Sequence, residues 1–94
     1  MVKLPTLPEN TLLKDLFSHY PENARSLMSL VNDVLRGPGE LSIANRELIA
    51  AYVSGLNSCT FCFGSHKQNA IAFGIEESLL DAMMDDLSAA PPYV

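Results

Sequence analysis

The chain has no tryptophan, only two cysteines and five glycines in 94 residues, and six basic residues against eleven acidic ones. So little positive charge argues against nucleic acid as a partner, because phosphate binding needs a basic face. No run approaches the ~18 consecutive apolar residues of a membrane span, and Met1-Val2-Lys3-Leu4-Pro5 lacks the apolar core of a secretory signal. Period-two alternation and β-branched clusters are missing, which argues against strands. The two cysteines, Cys59 and Cys62, are too close in sequence to staple a secreted mini-protein, since so small a loop constrains the unfolded chain little. Such a pair points to redox or metal chemistry in a reducing compartment, here expected to be the cytoplasm.

What is present is apolar. Hydrophobic residues make up 48% of the chain, yet a domain this small buries only roughly 60–65% of its unfolded surface. The excess points toward self-association. The expected architecture is all-α, one domain over residues 1–94, with about five helices and short connections. An extended N-terminal stretch leads to Asn10, expected to cap a short helix carrying Leu12, Leu13, Leu16 and Phe17, which Tyr20-Pro21 breaks. Ala24, Leu27, Met28, Val31, Val34 and Leu35 form one stripe of an amphipathic second helix, ended by Gly37-Pro38-Gly39. Ser42 is expected to cap a third helix from about Ile43 to Leu56, with Leu48, Ile49, Tyr52, Val53 and Leu56 as its stripe. A fourth is expected from about Cys59 to Phe73 with Gly74 just past its end, and a fifth from about Glu76 with Leu79, Leu80, Met83, Met84 and Leu87. The segment from Ala89 to Val94 reads as a non-helical tail. Met28, Met83 and Met84 read as core filler, His19 as a surface histidine, and the five acids between Glu76 and Asp86 as a solvated face.

Cys59, Cys62 and His66 carry the chemistry. Residues three and four apart share a helix face, so CxxCxxxH on the fourth helix presents all three side chains together. A thiol in the first turn is acidified by the helix dipole, and His66 can take or give a proton one turn beyond Cys62. Glu47 has apolar flanks at i−4, i−3, i+1 and i+4, and a carboxylate there is costly to bury without a partner. A hairpin through Asn57-Ser58 brings Glu47 and His66 to similar heights, so Glu47 is expected to orient the imidazole and raise its basicity. Two other readings compete: the cysteines as small buried hydrophobes, and a zinc site formed by Cys59, Cys62, His66 and Glu47. Three ligands from one short helix suit a tetrahedron poorly.

At these residues the sequence resembles the alkylhydroperoxidase AhpD-like proteins of the carboxymuconolactone decarboxylase superfamily, whose motif is a Glu, eleven residues, then CxxCxxxH. Here it reads Glu47, then Cys59-Thr60-Phe61-Cys62 and Phe63-Gly64-Ser65-His66. The flanking Arg46-Glu47-Leu48-Ile49-Ala50 and Ala72-Phe73-Gly74-Ile75 are similar too, and the N-terminal part is similar to the peroxidase-related branch. The resemblance implies a helical fold assembled into homo-oligomers such as trimers or hexamers. It implies thiol-dependent reduction of hydroperoxides, or service as a dithiol adaptor to a peroxiredoxin-type partner. Glu47 and His66 carry over as a proton relay and Cys59 with Cys62 as the redox pair, with no cofactor beyond that disulfide and no metal. Members of that branch continue for several helices past a segment like Asp86–Pro91. The 94 residues are therefore expected to be either a naturally short member or the N-terminal part of that longer architecture; if the further helices cover the core there, another subunit must do so here. Of the two cysteines, Cys62 is preferred as the attacking thiolate because its base is in reach, although the dipole favours Cys59.

Overall fold

The computed structural model describes residue 8 and residues 12–92. The expected cap at Asn10, the extended start and the last two residues of the tail lie outside that range. All regular structure among the described residues is helical. The chain forms two compact units, one up to Gly37 and one from Pro38.

The first unit holds α1 (Leu13–His19) and α2 (Pro21–Arg36). Leu12 has extended backbone and stands at the N-cap of α1, so the helix starts one residue later than its apolar spacing suggests. Leucine has no acceptor to cap with. Asp15 supplies the local contact instead, its Oδ2 accepting from the Leu12 N–H at 3.0 Å. Tyr20 ends α1 and begins α2, and Pro21 takes the first position of α2, where a missing N–H costs nothing. α2 stops because Gly37 precedes a proline: its backbone is extended (φ −70°, ψ 174°), the conformation that a following proline ring favours. The stripe of α2 does not form a buried core. Leu27, Met28 and Val34 are exposed, so Met28 is not core filler.

The second unit holds α3 (Ile43–Leu56), α4 (Thr60–Ala72), α5 (Glu77–Asp85) and a 3₁₀ turn at Leu87–Ala89, which falls partly in the segment expected to be non-helical. Ser42 caps α3 as expected, its Oγ accepting from the Asn45 N–H at 3.1 Å. α3 and α4 form the most extensive helix pair, and α5 closes over both. Leu48, Ala51, Leu80 and Met83 make the buried centre, with Tyr52, Phe63, Ile75, Leu79, Met84 and Ala90 packed around them. The buried line of α3 therefore runs through Glu47, Leu48 and Ala51 toward Gly55. Val53 and Leu56 belong to the opposite side and are exposed, because successive residues are ~100° apart on a helix. Phe73 is exposed as well.

The chain on either side of α4 is fixed by backbone hydrogen bonds. At the end of α3 the Ser58 N–H donates to the Gly55 carbonyl and the Cys59 N–H to the Ser54 carbonyl. This is the pattern of a Schellman motif, which requires a left-handed residue at its hinge. That residue is Ser58, with φ 56°, where glycine would be usual. At the end of α4 the Gly74 N–H donates to Ile71 and the Ile75 N–H to Ala70, the same pattern with Gly74 at φ 108°. Two such stops bracket α4 and fix its position against α3.

Candidate functional site

Cys59 is placed by both neighbouring helices. Its N–H closes the last turn of α3, and its carbonyl accepts from the Phe63 N–H at 2.9 Å to open α4. It is the N-cap of α4, one step outside the first turn where the dipole argument puts it. Cys62 is the third residue of α4, so its sulfur lies over the positive end of the helix. The two sulfurs are joined in a disulfide with the Cα atoms 5.3 Å apart, within the usual range for such a bond. The cysteines are thus a linked pair and not two separate buried hydrophobes.

Glu47 and His66 meet as their heights in the hairpin suggest. Glu47 Oε2 lies 2.7 Å from His66 Nδ1. Glu47 is 0% exposed and the histidine side chain 26% exposed. A buried carboxylate loses its hydration and needs such a partner; among the described residues no buried side-chain nitrogen or oxygen lacks one. A carboxylate can only accept, so with Glu47 ionised the proton of the neutral ring sits on Nδ1. Nε2 is then the lone-pair nitrogen. His66 follows Cys62 by one turn on α4, the spacing that sets both on one helix face.

A groove of about 230 Å³ adjoins the disulfide, lined by Gly55, Ser58, Cys59, Thr60, Phe63 and Met84. Cys59 lines it; Cys62, His66 and Glu47 do not. Phe63 and Met84 pack in this region, while Phe61 is 77% exposed and takes no part. Sequence spacing alone did not single out Gly55, Thr60 or Met84 as neighbours of the site. The signal available for Gly55 was a glycine on the line of Glu47 and Ala51.

Lys67, next to His66, ties α4 to α5. Its Nζ lies 3.2 Å from Glu77 Oε1 and 3.5 Å from Asp81 Oδ1, and 5.8 Å from the centre of the Phe63 ring. The hydrogen bond to Glu77 raises the Lys67 pKa above the ordinary lysine value, with Asp81 adding to it and partial burial opposing it. Glu77 and Asp81 therefore have a structural partner, while all five acids from Glu76 to Asp86 remain exposed. His19 is exposed and stacks edge-on with Tyr20, 4.8 Å between ring centres. Among the described residues no group of three or more His, Cys, Asp or Glu side chains is arranged to hold a metal ion. No helix among them is long and apolar enough to cross a membrane.

A sequence profile of the carboxymuconolactone decarboxylase family matches residues 21–90, most of the chain. The chain belongs to that family, and the expected membership of the superfamily that includes the AhpD-like proteins is met. No curated protein and no solved structure is matched.

Proposed function

We propose that the protein is a thiol-dependent peroxidase that reduces hydroperoxides through Cys59 and Cys62. The observation that carries this reading is the buried Glu47–His66 hydrogen bond on the same helix hairpin as the disulfide. A disulfide that served only as a staple would need no such pair beside it.

In the reduced protein His66 Nε2 takes the proton of the Cys62 thiol, and Glu47 stabilises the imidazolium. The Cys62 thiolate attacks the outer peroxide oxygen. An S–O bond forms, the O–O bond breaks, and the alcohol leaves with the proton returned by His66. Cys62 is now a sulfenic acid. The Cys59 thiol displaces water from it, forming the Cys59–Cys62 disulfide. Two electrons from an external dithiol restore the two thiols. The natural setting of this cycle is a reducing compartment such as the cytoplasm, in a homo-oligomer whose subunits cover the exposed apolar surface.

A second reading is a dithiol adaptor that passes electrons to a peroxiredoxin-type partner without consuming peroxide itself. The groove that ends on Cys59 favours it, since thiol exchange needs access to only one sulfur. Peroxide consumption with a small dithiol as reductant separates the two. Turnover that Cys62→Ser abolishes supports the peroxidase; a readily reversible disulfide with no turnover supports the adaptor. Trapping the sulfenic acid in each single Cys→Ser variant tests the order, and a sulfenic acid trapped on Cys59 overturns the assignment of Cys62 as attacker.

A further inference from the structure

We propose that Gly55 determines which thiols can reduce the disulfide, by holding open the groove through which they reach the Cys59 sulfur. The inference rests on the redox reading of the cysteine pair. In the disulfide form neither sulfur is a nucleophile, so the partner that can react there is an incoming thiolate. Cys59 lines the groove and Cys62 does not, so a molecule lodged in the groove lies against Cys59 and not against Cys62.

The chemistry balances as an exchange. The incoming thiolate forms a bond to Cys59 Sγ while the Cys59–Cys62 bond breaks and Cys62 departs as a thiolate. A second thiolate then attacks the mixed disulfide and releases Cys59. The external thiols are oxidised to a disulfide, and the two protein sulfurs gain two electrons and take up protons. Cys62 is the better leaving group, because it sits in the first turn of α4 where the helix dipole stabilises negative charge.

Gly55 sets the width of this path. A Cβ at Gly55 would meet Met84 Cε at 2.7 Å, Met84 Sδ at 3.0 Å and Phe63 Cδ2 at 3.1 Å. Those atoms belong to two other walls of the groove, so even a methyl group displaces them. Met84 is the flexible one and yields first. The groove's volume is about eight times the ~30 Å³ that one water occupies in the liquid, enough for a slender molecule of a few heavy atoms. No charged side chain lines it. The thiol it suits is uncharged near its sulfur, with a narrow apolar body.

The test compares the rates at which mercaptoethanol and the bulkier benzyl mercaptan reduce the oxidised protein under native conditions. Wild type, Gly55→Ala and the double variant Gly55→Ala/Met84→Ala are measured. Gly55→Ala should slow benzyl mercaptan about tenfold while leaving mercaptoethanol within about twofold, the scale of discrimination one carbon gives in a pocket. The double variant should recover most of the loss. Acid quenching and maleimide labelling should place the mixed disulfide on Cys59 and the free thiol on Cys62. Equal slowing with both thiols, no slowing with either, or an adduct on Cys62 overturns the role of Gly55 and leaves the redox reading standing. A wild-type disulfide that neither thiol reduces overturns both.

Discussion

Replacing Glu47 with glutamine should slow the chemistry of Cys62 by more than any loss of stability explains. Glutamine keeps the shape of glutamate and can still accept the Nδ1–H hydrogen bond through its carbonyl oxygen. What it loses is the negative charge, 2.7 Å from the ring in the native pair. Two unit charges about 4 Å apart attract by roughly 4 kcal/mol at an effective dielectric of ~20, close to a thousandfold in an equilibrium constant. That is an upper bound, because His66 is 26% exposed and solvent screens part of it. Loss of the partner that orients a metal-bound histidine commonly costs about 10–100-fold, which lies within that bound. The expected effect is therefore a ~10–100-fold fall in the alkylation rate of Cys62 at neutral pH, read in a Cys59→Ser background. Glutamine keeps the Nδ1–H hydrogen bond but buries an amide NH2 group in place of a carboxylate oxygen, so a stability loss of about 1–3 kcal/mol should accompany the substitution. A variant with an unchanged rate, or one whose rate falls only in proportion to lost stability, would refute the assignment of Glu47 as the residue that tunes His66.

Ser58 holds a left-handed backbone just before Cys59. Ser58→Val should lower stability by about 1–2 kcal/mol while Ser58→Gly loses none, as thermal or denaturant unfolding can show. Among the described residues, nothing beyond the helix's own backbone and the chain neighbours lies within 4 Å of a Cβ built at Gly64, in the middle of α4. Gly64→Ala should therefore stabilise by about 0.5–1 kcal/mol, and a loss instead would contradict the open face described for that turn. Two groups set pH limits on stability. Asp86 Oδ1 accepts from the Ser88 N–H at 2.9 Å, which holds its carboxyl below the ordinary value. Its contribution is present above the unfolded carboxylate pKa and is lost as pH falls through the lower folded value, below about pH 4. The raised Lys67 pKa works in the opposite sense: its contribution is present below the unfolded lysine value and is lost as pH rises past it, above about pH 10. A pH series of thermal midpoints should be flat between these limits with respect to both groups. The alkaline loss should shrink in Lys67→Met and the acid loss in Asp86→Ala.

The second unit was readable from sequence because its signals are local. Ser42, the apolar spacing of α3 and Gly74 marked the helix ends by side-chain capping and by positive φ, which depend on few neighbours. Glu47 stood out as a charge among apolar residues, and the hairpin put His66 within its reach. The misses concern packing. The stripe of α2 has a strong helical pattern, yet a pattern states only which residues share a face, and Met28 stays exposed. Val53 and Leu56 fall on the side of α3 away from α4 and α5, which no spacing rule decides. The groove beside Cys59 depends on Gly55 approaching Met84 and Phe63 from other helices, a contact between residues far apart in sequence. Ser58 in the left-handed region was missed for a different reason: its conformation comes from the two local hydrogen bonds that end α3, at a position where glycine would be the usual signal.

The reduction potential of the Cys59–Cys62 couple decides whether this disulfide cycles. Equilibrating the native protein against defined dithiol buffers, with the oxidised fraction read by thiol labelling, should give a reversible two-electron couple. Its potential should lie above about −300 mV, the range of exchanging and catalytic pairs, because Cys62 leaves as a thiolate at the start of α4. A couple well below that value, or a pair that no thiol reduces in the folded protein, is a structural staple and contradicts a redox role for the site.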